Sequence, residues 1–580
     1  LEIAKVINAN PDAKLIYSDE DKIDEYGNRY DPYFKPDWNP ELLLGQNYIS
    51  HLGVYKTSLV RKLNGFRTGF EGSQDWDLVL RFTEQISNDF IIHIPHVLYH
   101  WRAVSGSAAM NITQKNYLLN SSLKVVQDSM CRRKVNAETN FIFDDSNFLR
   151  TKFKHNKKEN PKVSIIIPTK DNVELLKRSI ESILSTIKYN NFEIIIVDNG
   201  STLSGVKSYL NKIKNKSNIN VINLVCDFNY SKLNNFAISK SSGEVLLLLN
   251  DDIEANLNGW FEEMLIHTLR PEIGCVGAKL IYPDGRLQHG GVVIGLGGGA
   301  VHNFKFSEKS SRGYFGHLAL TRNCSAVTAA CLMVRKEVFK EVGGLDESMF
   351  KVAFNDVDFC LRVQKMGYRN LWTPNAVLIH HESASRGNDF STKEKKNRFI
   401  GELSVLQNKW NTKSYSDPYY NPNFTYLSDN NSFSLNSKNK FKQGELKNES
   451  HSIYDSVKSY QNLFRDLSLK QGKEESRFLT VGGKSDSVGQ ICLDILNSFG
   501  LKKTHYIVDV GCGYGRLAKA LKPHHRGRYL GTEVVPELLN YANSNFGGNG
   551  WAFKLVNRLN VPVPENSIDM VCFFSIFTHL

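Results

Sequence analysis

The sequence has few cysteines, no long hydrophobic run and no leader segment, and each absence excludes a class of protein. Nine cysteines are scattered over 580 residues without a Cys-x-x-Cys pair, so neither a disulfide scaffold nor a cysteine-built zinc site is expected. The longest aliphatic runs, such as Val245–Leu249, are far shorter than the roughly 18 residues that cross a bilayer. Because no charged and apolar leader opens the chain, we expect a cytoplasmic protein in a reducing environment.

The charge is only moderately unbalanced, with 72 Lys and Arg against 60 Asp and Glu, a formal net charge of +12. This excess permits peripheral association with the anionic inner face of the cytoplasmic membrane, or contact with a phosphorylated substrate. No aromatic-basic motif accompanies it, so we expect no nucleic-acid partner. A hydrophobic content of 41% is that of a globular protein, and the length predicts about three to five domains.

Changes in composition divide the chain into five segments. Residues 1–110 mix strand-like and helical pieces with acidic clusters, and residues 111–160 turn from helical to basic and are predicted to be a linker. Residues 161–435 alternate short apolar runs with helical patterns, which predicts a parallel α/β sheet covered on both faces. Residues 436–475 are predicted to be a polar linker, and residues 476–580 a truncated α/β domain. The chain begins with leucine rather than methionine and ends inside an apolar run, so we expect a fragment of a longer protein.

An internal repeat links the first and third segments. The heptapeptides that begin at Asp75 and at Asp356 share both Asp residues, a Leu and an Arg. A Val-Leu-x-His sequence follows each, so that His100 lies 25 residues after Asp75 and His380 lies 24 residues after Asp356. Three matches in the same order at nearly equal spacing predict a duplicated domain. We call residues 1–110 the first copy and residues 161–435 the second copy, and we expect the first copy to lack its upstream half.

Polar residues follow the predicted strands of the second copy. Pro168-Thr169-Lys170-Asp171-Asn172 follows the first strand, Asp198-Asn199-Gly200-Ser201 the second and Asn250-Asp251-Asp252 the fourth. Singly, these sequences are also typical of turns and helix caps. Together they occupy successive strand ends, which is where open α/β sheets bind ligands. The pattern therefore predicts a binding pocket at one edge of the sheet.

The residue types at this edge suit a divalent cation and a general base. A carboxylate cluster after a buried strand favours Mg²⁺ or Mn²⁺, which stabilises the charge on a departing diphosphate. His380 or His381 could complete the metal shell, although a lone His is more often structural. Asp356 opens a helical pattern, where it is either a cap or a general base that removes a proton from an attacking hydroxyl. One base opposite a metal-bound leaving group implies in-line displacement with inversion.

The second copy resembles a glycosyltransferase family 2 domain of the GT-A fold. The resemblance rests on the sequences Val-Ser-Ile-Ile-Ile-Pro-Thr (163–169), Val-Asp-Asn-Gly-Ser (197–201) and Leu-Leu-Asn-Asp-Asp (248–252). It also rests on Gly-Gly-Leu-Asp (343–346), Asn-Asp-Val-Asp (355–358) and His-His-Glu-Ser-Ala-Ser-Arg-Gly (380–387). The first copy is similar to the later half of the same domain through Tyr-Ser-Asp-Glu-Asp (17–21) and Ser-Gln-Asp-Trp-Asp (73–77).

The resemblance implies roles for individual residues. Nucleotide-sugar contacts are implied for Pro168, Thr169, Asp198 and Asp251, metal binding for Asn250, Asp252, His380 and His381, and general-base catalysis for Asp356. In the first copy it implies metal binding by Asp19, Asp21 and His100 and a base at Asp75. Asn250 and Asn355 depart from the usual acidic residues of the family, which puts metal affinity and acceptor orientation in doubt.

The last segment resembles a class I S-adenosylmethionine-dependent methyltransferase. Residues 508–516 run from a strand through a Gly-rich turn into a helix, a form that lets the backbone approach a ligand closely. Glu533 ends the next predicted strand, where a carboxylate can bind ribose hydroxyls. The resemblance implies that S-adenosylmethionine is bound by Asp509, Gly511, Gly513, Gly515 and Glu533.

These inferences predict a multidomain bacterial enzyme: two GT-A units followed by a Rossmann-like methyltransferase. The expected substrates are a nucleotide-diphosphate sugar and a glycan or lipid-linked acceptor of surface-polysaccharide (O-antigen type) synthesis, with Mn²⁺ or Mg²⁺ as cofactor. One alternative is a sugar-phosphate nucleotidyltransferase, but residues 168–172 contain no glycine for its phosphate loop. The other is a non-catalytic nucleotide-binding scaffold, which should keep its function after Asp356→Asn.

Overall fold

The computed structural model describes residues 1–102, 116–143, 146, 148–154, 160–214, 216–382, 391–426, 486–556 and 567–572. The chain divides into two compact units, Leu1–Phe441 (unit 1) and Lys442–Leu580 (unit 2). Unit 1 contains both copies of the repeat, and unit 2 contains the Gly-rich turn.

The strands of unit 1 are β1 (Leu15–Ile23), β2 (Arg29–Tyr33), β3 (Gly53–Tyr55), β4 (Ile91–Arg102), β5 (Ala137–Phe141), β6 (Leu149–Phe153), β7 (Val163–Thr169), β8 (Phe192–Asp198), β9 (Ile219–Asn223), β10 (Val245–Leu249), β11 (Ile253–Glu254), β12 (Ile273–Ile281), β13 (Leu287–His289), β14 (Val292–Ile294), β15 (Ala300–His302), β16 (Arg322–Asn323), β17 (Cys331–Arg335) and β18 (Arg369–His380). Its α-helices are α1 (Glu2–Ala9), α2 (Pro40–Gly45), α3 (Thr57–Lys62), α4 (Gln74–Thr83), α5 (Asn116–Arg132), α6 (Val173–Thr186), α7 (Ser204–Ile213), α8 (Tyr230–Lys240), α9 (Trp260–Thr268), α10 (Lys336–Glu341), α11 (Asn355–Lys365) and α12 (Lys393–Trp410). Short 3-10 helices cover Asn88–Phe90, Leu296–Gly298, Tyr314–Gly316 and Thr412–Ser414.

The second copy is built on one large mixed sheet, in which the strand order is β11-β18-β12-β17-β10-β7-β8-β9. β10, β7, β8 and β9 are parallel, as expected from their apolar runs. Every residue of β7 and β10 is buried, because alternate side chains enter two separate cores: Ile166 and Leu248 lie in one, and Ile165 and Leu247 in the other. The carboxyl ends of β7, β8 and β10 consequently reach the same edge, where the predicted site residues lie.

The first copy repeats the later part of this sheet. β1 pairs with β3 antiparallel and with β4 parallel, just as β12 pairs with β17 antiparallel and with β18 parallel. In these ladders Asp19 is opposite Val97 and Lys279 is opposite Val377. Asp19 and Asp21 therefore correspond to the end of β12, and their assignment as the counterparts of the metal motif after β10 does not hold. The error arose because both sequences place acidic residues after an apolar run.

The segment 111–160, predicted to be a linker, also differs from expectation. In its described part, α5 and the antiparallel hairpin β5–β6 belong to the core of the first copy. Val125, Val126, Met130 and Leu149 are buried there among residues of β1 and α4. Of the basic residues that suggested a linker, Lys152 and Lys154 are within the described residues, and both are exposed.

Unit 2 contains α13 (Asp486–Ser498), β19 (Ile507–Val510), α14 (Arg516–Leu521), β20 (Tyr529–Glu533), α15 (Pro536–Phe546), β21 (Trp551–Leu555) and β22 (Met570–Cys572). The four strands are parallel in the order β21-β20-β19-β22. The predicted strand–loop–helix unit is present at β19 and α14. The predicted polar linker 436–475 lies outside the described residues. None of the described helices has the length and apolar character of a bilayer-spanning segment.

Candidate functional site

The carboxyl ends of β7 and β8 carry the residues expected to contact a nucleotide. Thr169 donates its hydroxyl hydrogen bond to Asp251 Oδ2 at 2.7 Å. Asp198 Oδ1 accepts hydrogen bonds from the backbone N–H (2.9 Å) and the hydroxyl (2.6 Å) of Ser201. The side chains of Thr169, Asp251, Asp198 and Ser201 are all buried. Pro168 precedes Thr169, which is the last residue of β7. The structure therefore brings Thr169 and Asp251 into contact, while Asp198 also stabilises its own turn.

Asp252 and His380 face each other at the end of the same edge. Asp252 Oδ1 is 3.2 Å from His380 Nε2, and both side chains are buried. Asp252 Oδ1 and His380 Nδ1 form no hydrogen bond within the described residues. His381 instead bonds Glu254 Oε2 through Nε2 at 2.9 Å. Of the two adjacent histidines, His380 is thus the one beside the carboxylate motif.

The electrostatics of this motif suit a divalent cation. Burial, and next the charge of Asp252, raise the pKa of Asp251 to about 7. The buried carboxylate of Asp252 and the imidazole of His380 are a pair of donors that Mn²⁺ and Mg²⁺ accept, and a bound cation would offset the repulsion between Asp251 and Asp252. Asn250 belongs to the same turn, where its backbone N–H donates to Ala330 O at 3.1 Å. The residues present therefore fit the ion that the carboxylate pattern predicts.

Asp356 and Asn250 both bond to the backbone of residues 329 and 330. Its Oδ2 accepts a hydrogen bond from the backbone N–H of Ala329 and its Oδ1 from that of Val357, both at 2.9 Å. Burial raises the pKa of this carboxyl, which makes the carboxylate a stronger base. The backbone bonds hold it at the start of α11 in one orientation.

Sequence reasoning missed Tyr230, which lies between the two groups. Its hydroxyl donates to Ala329 O at 2.9 Å. Burial raises its pKa most, and the charges of Asp356 and Asp252 raise it further, so its phenol group is near both carboxylates. It is the first residue of α8, where the sequence gave no motif to recognise. Tyr282, Gln288 and Glu382, described below, were missed as well; Glu382 directly follows the two histidines of a quoted motif.

In the first copy the acidic residues Asp19 and Asp21 are bonded to protein groups. Asp19 accepts hydrogen bonds from His93 Nε2 at 2.9 Å and from Asn421 Nδ2 at 3.0 Å. Asp21 is bonded to Arg29 Nε at 2.7 Å and to His100 Nδ1 at 2.5 Å. These hydrogen bonds give both carboxylates protein partners, and His100 faces Asp21 rather than a counterpart of Asp252.

Asp75 does share the setting of Asp356. It lies in the first turn of α4, its Oδ2 accepts a hydrogen bond from Asn47 Nδ2 at 2.8 Å, and burial raises its pKa.

In unit 2 the Gly-rich turn lies between the ends of β19 and β20. Glu533 Oε2 accepts a hydrogen bond from Gly513 N at 2.8 Å, and Asp509 Oδ2 accepts one from Tyr529 Oη at 2.6 Å. Gly511, Gly513 and Gly515 all have positive φ, a backbone region that other residues rarely adopt. Burial raises the pKa of Asp509 to about 7. The turn and the two carboxylates converge, as a site for an uncharged ribose and a cationic amine requires.

Two family models match the chain. The first, described as Glycosyl transferase family 2, matches residues 164–343, and the second, described as a methyltransferase domain, matches residues 507–580. The α/β fold classes expected for these two regions are thereby confirmed.

Similar proteins extend the comparison. The chain is 46% identical to the Sinorhizobium fredii protein "Uncharacterized protein y4gI" over 75% of its own length and 47% of that protein. It is 36% identical to "O-antigen biosynthesis protein RfbC" of Myxococcus xanthus over 73% of its own length and 32% of that protein. The chain thus spans half or less of these relatives.

A solved structure, the mannosyltransferase PcManGT of Pyrobaculum calidifontis in complex with GDP-Man and Mn²⁺, aligns with a TM-score of 0.34 and 15% identity, covering 46% of this chain and 68% of that one. From the family matches, the chain contains a glycosyltransferase family 2 domain followed by a methyltransferase domain.

Proposed function

We propose that the second copy transfers a sugar from a nucleotide-diphosphate donor to a hydroxyl group, with a divalent cation and with inversion at the anomeric carbon. The observation that carries this proposal is the pairing of Asp252 with His380 at the same sheet edge as Thr169 and Asp251, with Asp356 bonded to the adjoining backbone at Ala329. A nucleotidyltransferase or a scaffold would have no use for a half-buried base held in this way.

Each residue has a distinct task. Thr169, Asp251 and Asp198 position the nucleotide at the ends of β7 and β8. Asp252 and His380 hold the cation, with Asn250 at the edge of its shell. No three His, Cys, Asp or Glu side chains converge on one point within the described ranges; Mg²⁺ commonly takes one or two protein carboxylates and completes its shell with substrate phosphates and water. When bound, the cation supplies positive charge that stabilises the departing diphosphate.

Asp356 supplies the proton transfer. As the acceptor oxygen forms its bond to the anomeric carbon, the bond from that carbon to the diphosphate oxygen breaks. The electron pair leaves with the nucleoside diphosphate, and the hydroxyl proton moves to Asp356. Its backbone hydrogen bonds from Ala329 and Val357 keep the carboxylate directed at the hydroxyl, and a positioned base contributes about 10²–10⁴ in rate.

The biological setting follows from one relative's name. Myxococcus xanthus RfbC is named an O-antigen biosynthesis protein, and we infer a role in bacterial surface-polysaccharide synthesis for this chain. The acceptor would then be a glycan or a lipid-linked oligosaccharide on the cytoplasmic side of the membrane, reached by peripheral association. The domain boundaries 1–110, 161–435 and 476–580 remain proposals, as does the first copy's activity through Asp75.

A second activity is proposed for unit 2. Glu533 would bind the ribose hydroxyls of S-adenosylmethionine, and Asp509 would bind the ammonium group of its methionine part. The contact between Glu533 and Gly513 N supports this assignment, because it fixes the carboxylate against the turn. Isothermal titration with S-adenosylmethionine tests it, and Glu533→Ala should abolish the binding heat.

The transferase proposal is tested with a panel of nucleotide sugars in the presence of Mn²⁺. The donor should raise the melting temperature only with the cation, and release of nucleoside diphosphate should be detectable. Asp356→Asn should lower turnover about 10²–10⁴-fold while keeping the cation-dependent stabilisation, whereas Asp252→Asn should lose both.

The exposed residue Asp12 of the first copy provides the control Asp12→Asn, which should behave as the unchanged protein. If Asp356→Asn kept full turnover, the assigned base would be wrong. If no nucleotide sugar stabilised the protein with Mn²⁺, the whole proposal would fail.

A further inference from the structure

A second cluster of polar side chains adjoins His380 on the side away from Asp252. β12 and β18 run parallel with Ile281 opposite Ile379, so Tyr282 emerges beside His380. The Tyr282 hydroxyl donates a hydrogen bond to Glu382 Oε2. Lys305 Nζ is 3.9 Å from the other carboxylate oxygen. The cation site is thus continuous with a polar surface that the proposed donor chemistry does not use.

An aromatic platform covers this surface. The rings of Tyr282 and Phe306 stack at 5.5 Å between centroids with an interplanar angle of 11°. Phe306 is 41% exposed, and Arg286 and Lys305 lie over its ring at 5.1 Å and 5.2 Å. Tyr282 covers one face of the Phe306 ring, and a ring that carries hydroxyl groups would stack its C–H face on the other in place of these two long side chains.

The backbone holds Phe306 in a conformation that costs energy. Its φ is 69°, in the left-handed region that a bulky residue rarely adopts. The Phe306 N–H donates to Leu287 O at 2.7 Å, and the Ser307 N–H donates to Phe304 O at 3.0 Å. Local strain of this kind persists where the surrounding structure enforces it and is concentrated at functional sites.

A buried polar atom points to a missing ligand at the same place. Gln288 is 2% exposed, and its amide nitrogen lies 3.4 Å from Glu382 Oε2. Its side-chain oxygen Oε1 forms no hydrogen bond with any residue that the structure describes. Because an unsatisfied buried acceptor is costly, this oxygen and the Glu382 carboxylate are available for hydroxyl donors.

We propose that Tyr282, Phe306, Gln288 and Glu382 form a subsite for a pyranose residue of the acceptor glycan. The inference rests on the proposed function, which sets the side from which the acceptor approaches. The nucleotide contacts are at the ends of β7 and β8, whereas the aromatic platform lies at the end of β12, on the far side of His380. An acceptor must enter from the side of the donor sugar opposite its diphosphate, which is the side away from those strands. The ring would stack on Phe306 while its hydroxyls donate to Glu382 and Gln288.

Saturation-transfer NMR tests the subsite without donor or cation. The probes are methyl α-L-rhamnopyranoside, methyl α-D-mannopyranoside and methyl N-acetyl-β-D-glucosaminide, each in large excess over the full chain. At least one should receive saturation from the unchanged protein. Phe306→Ala should weaken the binding of that glycoside about fivefold, and Glu382→Gln should weaken it as well. Phe306→Trp should bind the glycoside like the unchanged protein, because the aromatic platform remains.

A control variant makes the result specific. Phe66→Ala removes an exposed phenylalanine from the first copy and should leave glycoside binding unchanged. Absence of saturation transfer to all three glycosides, or equal transfer in the Phe306→Ala and Phe66→Ala variants, would overturn the subsite. If Phe306→Ala fails to fold, the other two variants carry the test: the subsite requires weaker glycoside binding in Glu382→Gln and retained binding in Phe306→Trp. If the unchanged protein bound a glycoside but cleaved no nucleotide sugar, the proposed function would be contradicted and the subsite would not.

Discussion

At the scale of single residues, the repeated Asp-x-Asp sequence contains two carboxylates with different tasks. Asp358 is buried and accepts hydrogen bonds from Arg362 Nε and Trp410 Nε1, both at 2.8 Å. In the first copy Asp77 accepts the same bond from Arg81 Nε at 2.9 Å. Each arginine also donates to the carbonyl of a glycine at 2.7 Å, Gly344 and Gly65 respectively. The second Asp therefore ties the helix to the preceding Gly turn, while the first faces the site.

This difference predicts opposite effects on stability. Asp358→Asn should lower the free energy of unfolding by about 1–3 kcal/mol, because the buried carboxylate loses its charge-assisted bonds to the partly exposed side chains of Arg362 and Lys409. Asp356→Asn should leave stability unchanged or raise it. Burial raises the pKa of Asp356, so its ionised form opposes folding at every pH above the unfolded pKa of about 3.9. Urea unfolding at pH 7 measures both; equal losses in the two variants would show that Asp356 is structural too.

At the scale of helices and strands, the sequence specified the continuous apolar strands better than the acidic ones. β7 and β10 could be located because both of their faces are buried, which requires an uninterrupted run of apolar residues. The acidic residues in β1 and after β10 have similar local sequences, and only the pairing of β1 with β4 distinguishes them. Pairing partners are set by contacts far apart in the chain, which local patterns do not encode. The platform at Phe306 depends on a strained turn and was equally invisible.

Asp19 on β1 is held by a segment from the end of the second copy. Asn421 Nδ2 donates to both Asp19 oxygens, at 3.1 Å and 3.0 Å, and to Lys35 O at 2.8 Å. Asn421→Ala should therefore destabilise unit 1 by about 1–3 kcal/mol, the cost of leaving buried polar groups unpaired. The exposed Asn408 on α12 gives the control Asn408→Ala, which should have no measurable effect. Thermal unfolding compares them, and an unaffected Asn421→Ala would mean that Asp19 does not depend on this segment.

At the scale of the whole unit, the two copies share a core. Leu320 of the second copy is buried among first-copy residues, and Phe34 packs with Tyr420 and Phe424. Across the same interface Glu41 binds Arg270 through two bonds, at 2.6 Å and 2.8 Å. The sequence predicted the duplication but not this interface, because its contacts join residues more than 200 positions apart and follow no local period. We therefore expect residues 1–426 to unfold as one cooperative body.

The Glu41 interaction gives this cooperativity a pH dependence. Burial acts to raise the pKa of Glu41, but the charges and hydrogen bonds of Arg270, with the charge of Arg369, outweigh it and lower the pKa to about 2. A lowered folded pKa contributes stability that is fully present above the unfolded value of about 4.3 and is lost as the pH falls toward 2. Glu41→Gln should thus cost about 3 kcal/mol at pH 6 and only about 1 kcal/mol at pH 3.

Urea unfolding of the variant and the unchanged protein across this range measures the difference directly. The matched control is Glu337→Gln, which removes a carboxylate paired with Arg335 at 2.9 Å but 76% exposed. Its cost should remain within about 1 kcal/mol at every pH, because solvent screens an exposed pair. A Glu41→Gln penalty that did not shrink on acidification would mean that shape rather than charge joins the copies. A penalty that vanished at all pH values would mean that the buried aromatic contacts hold them together alone.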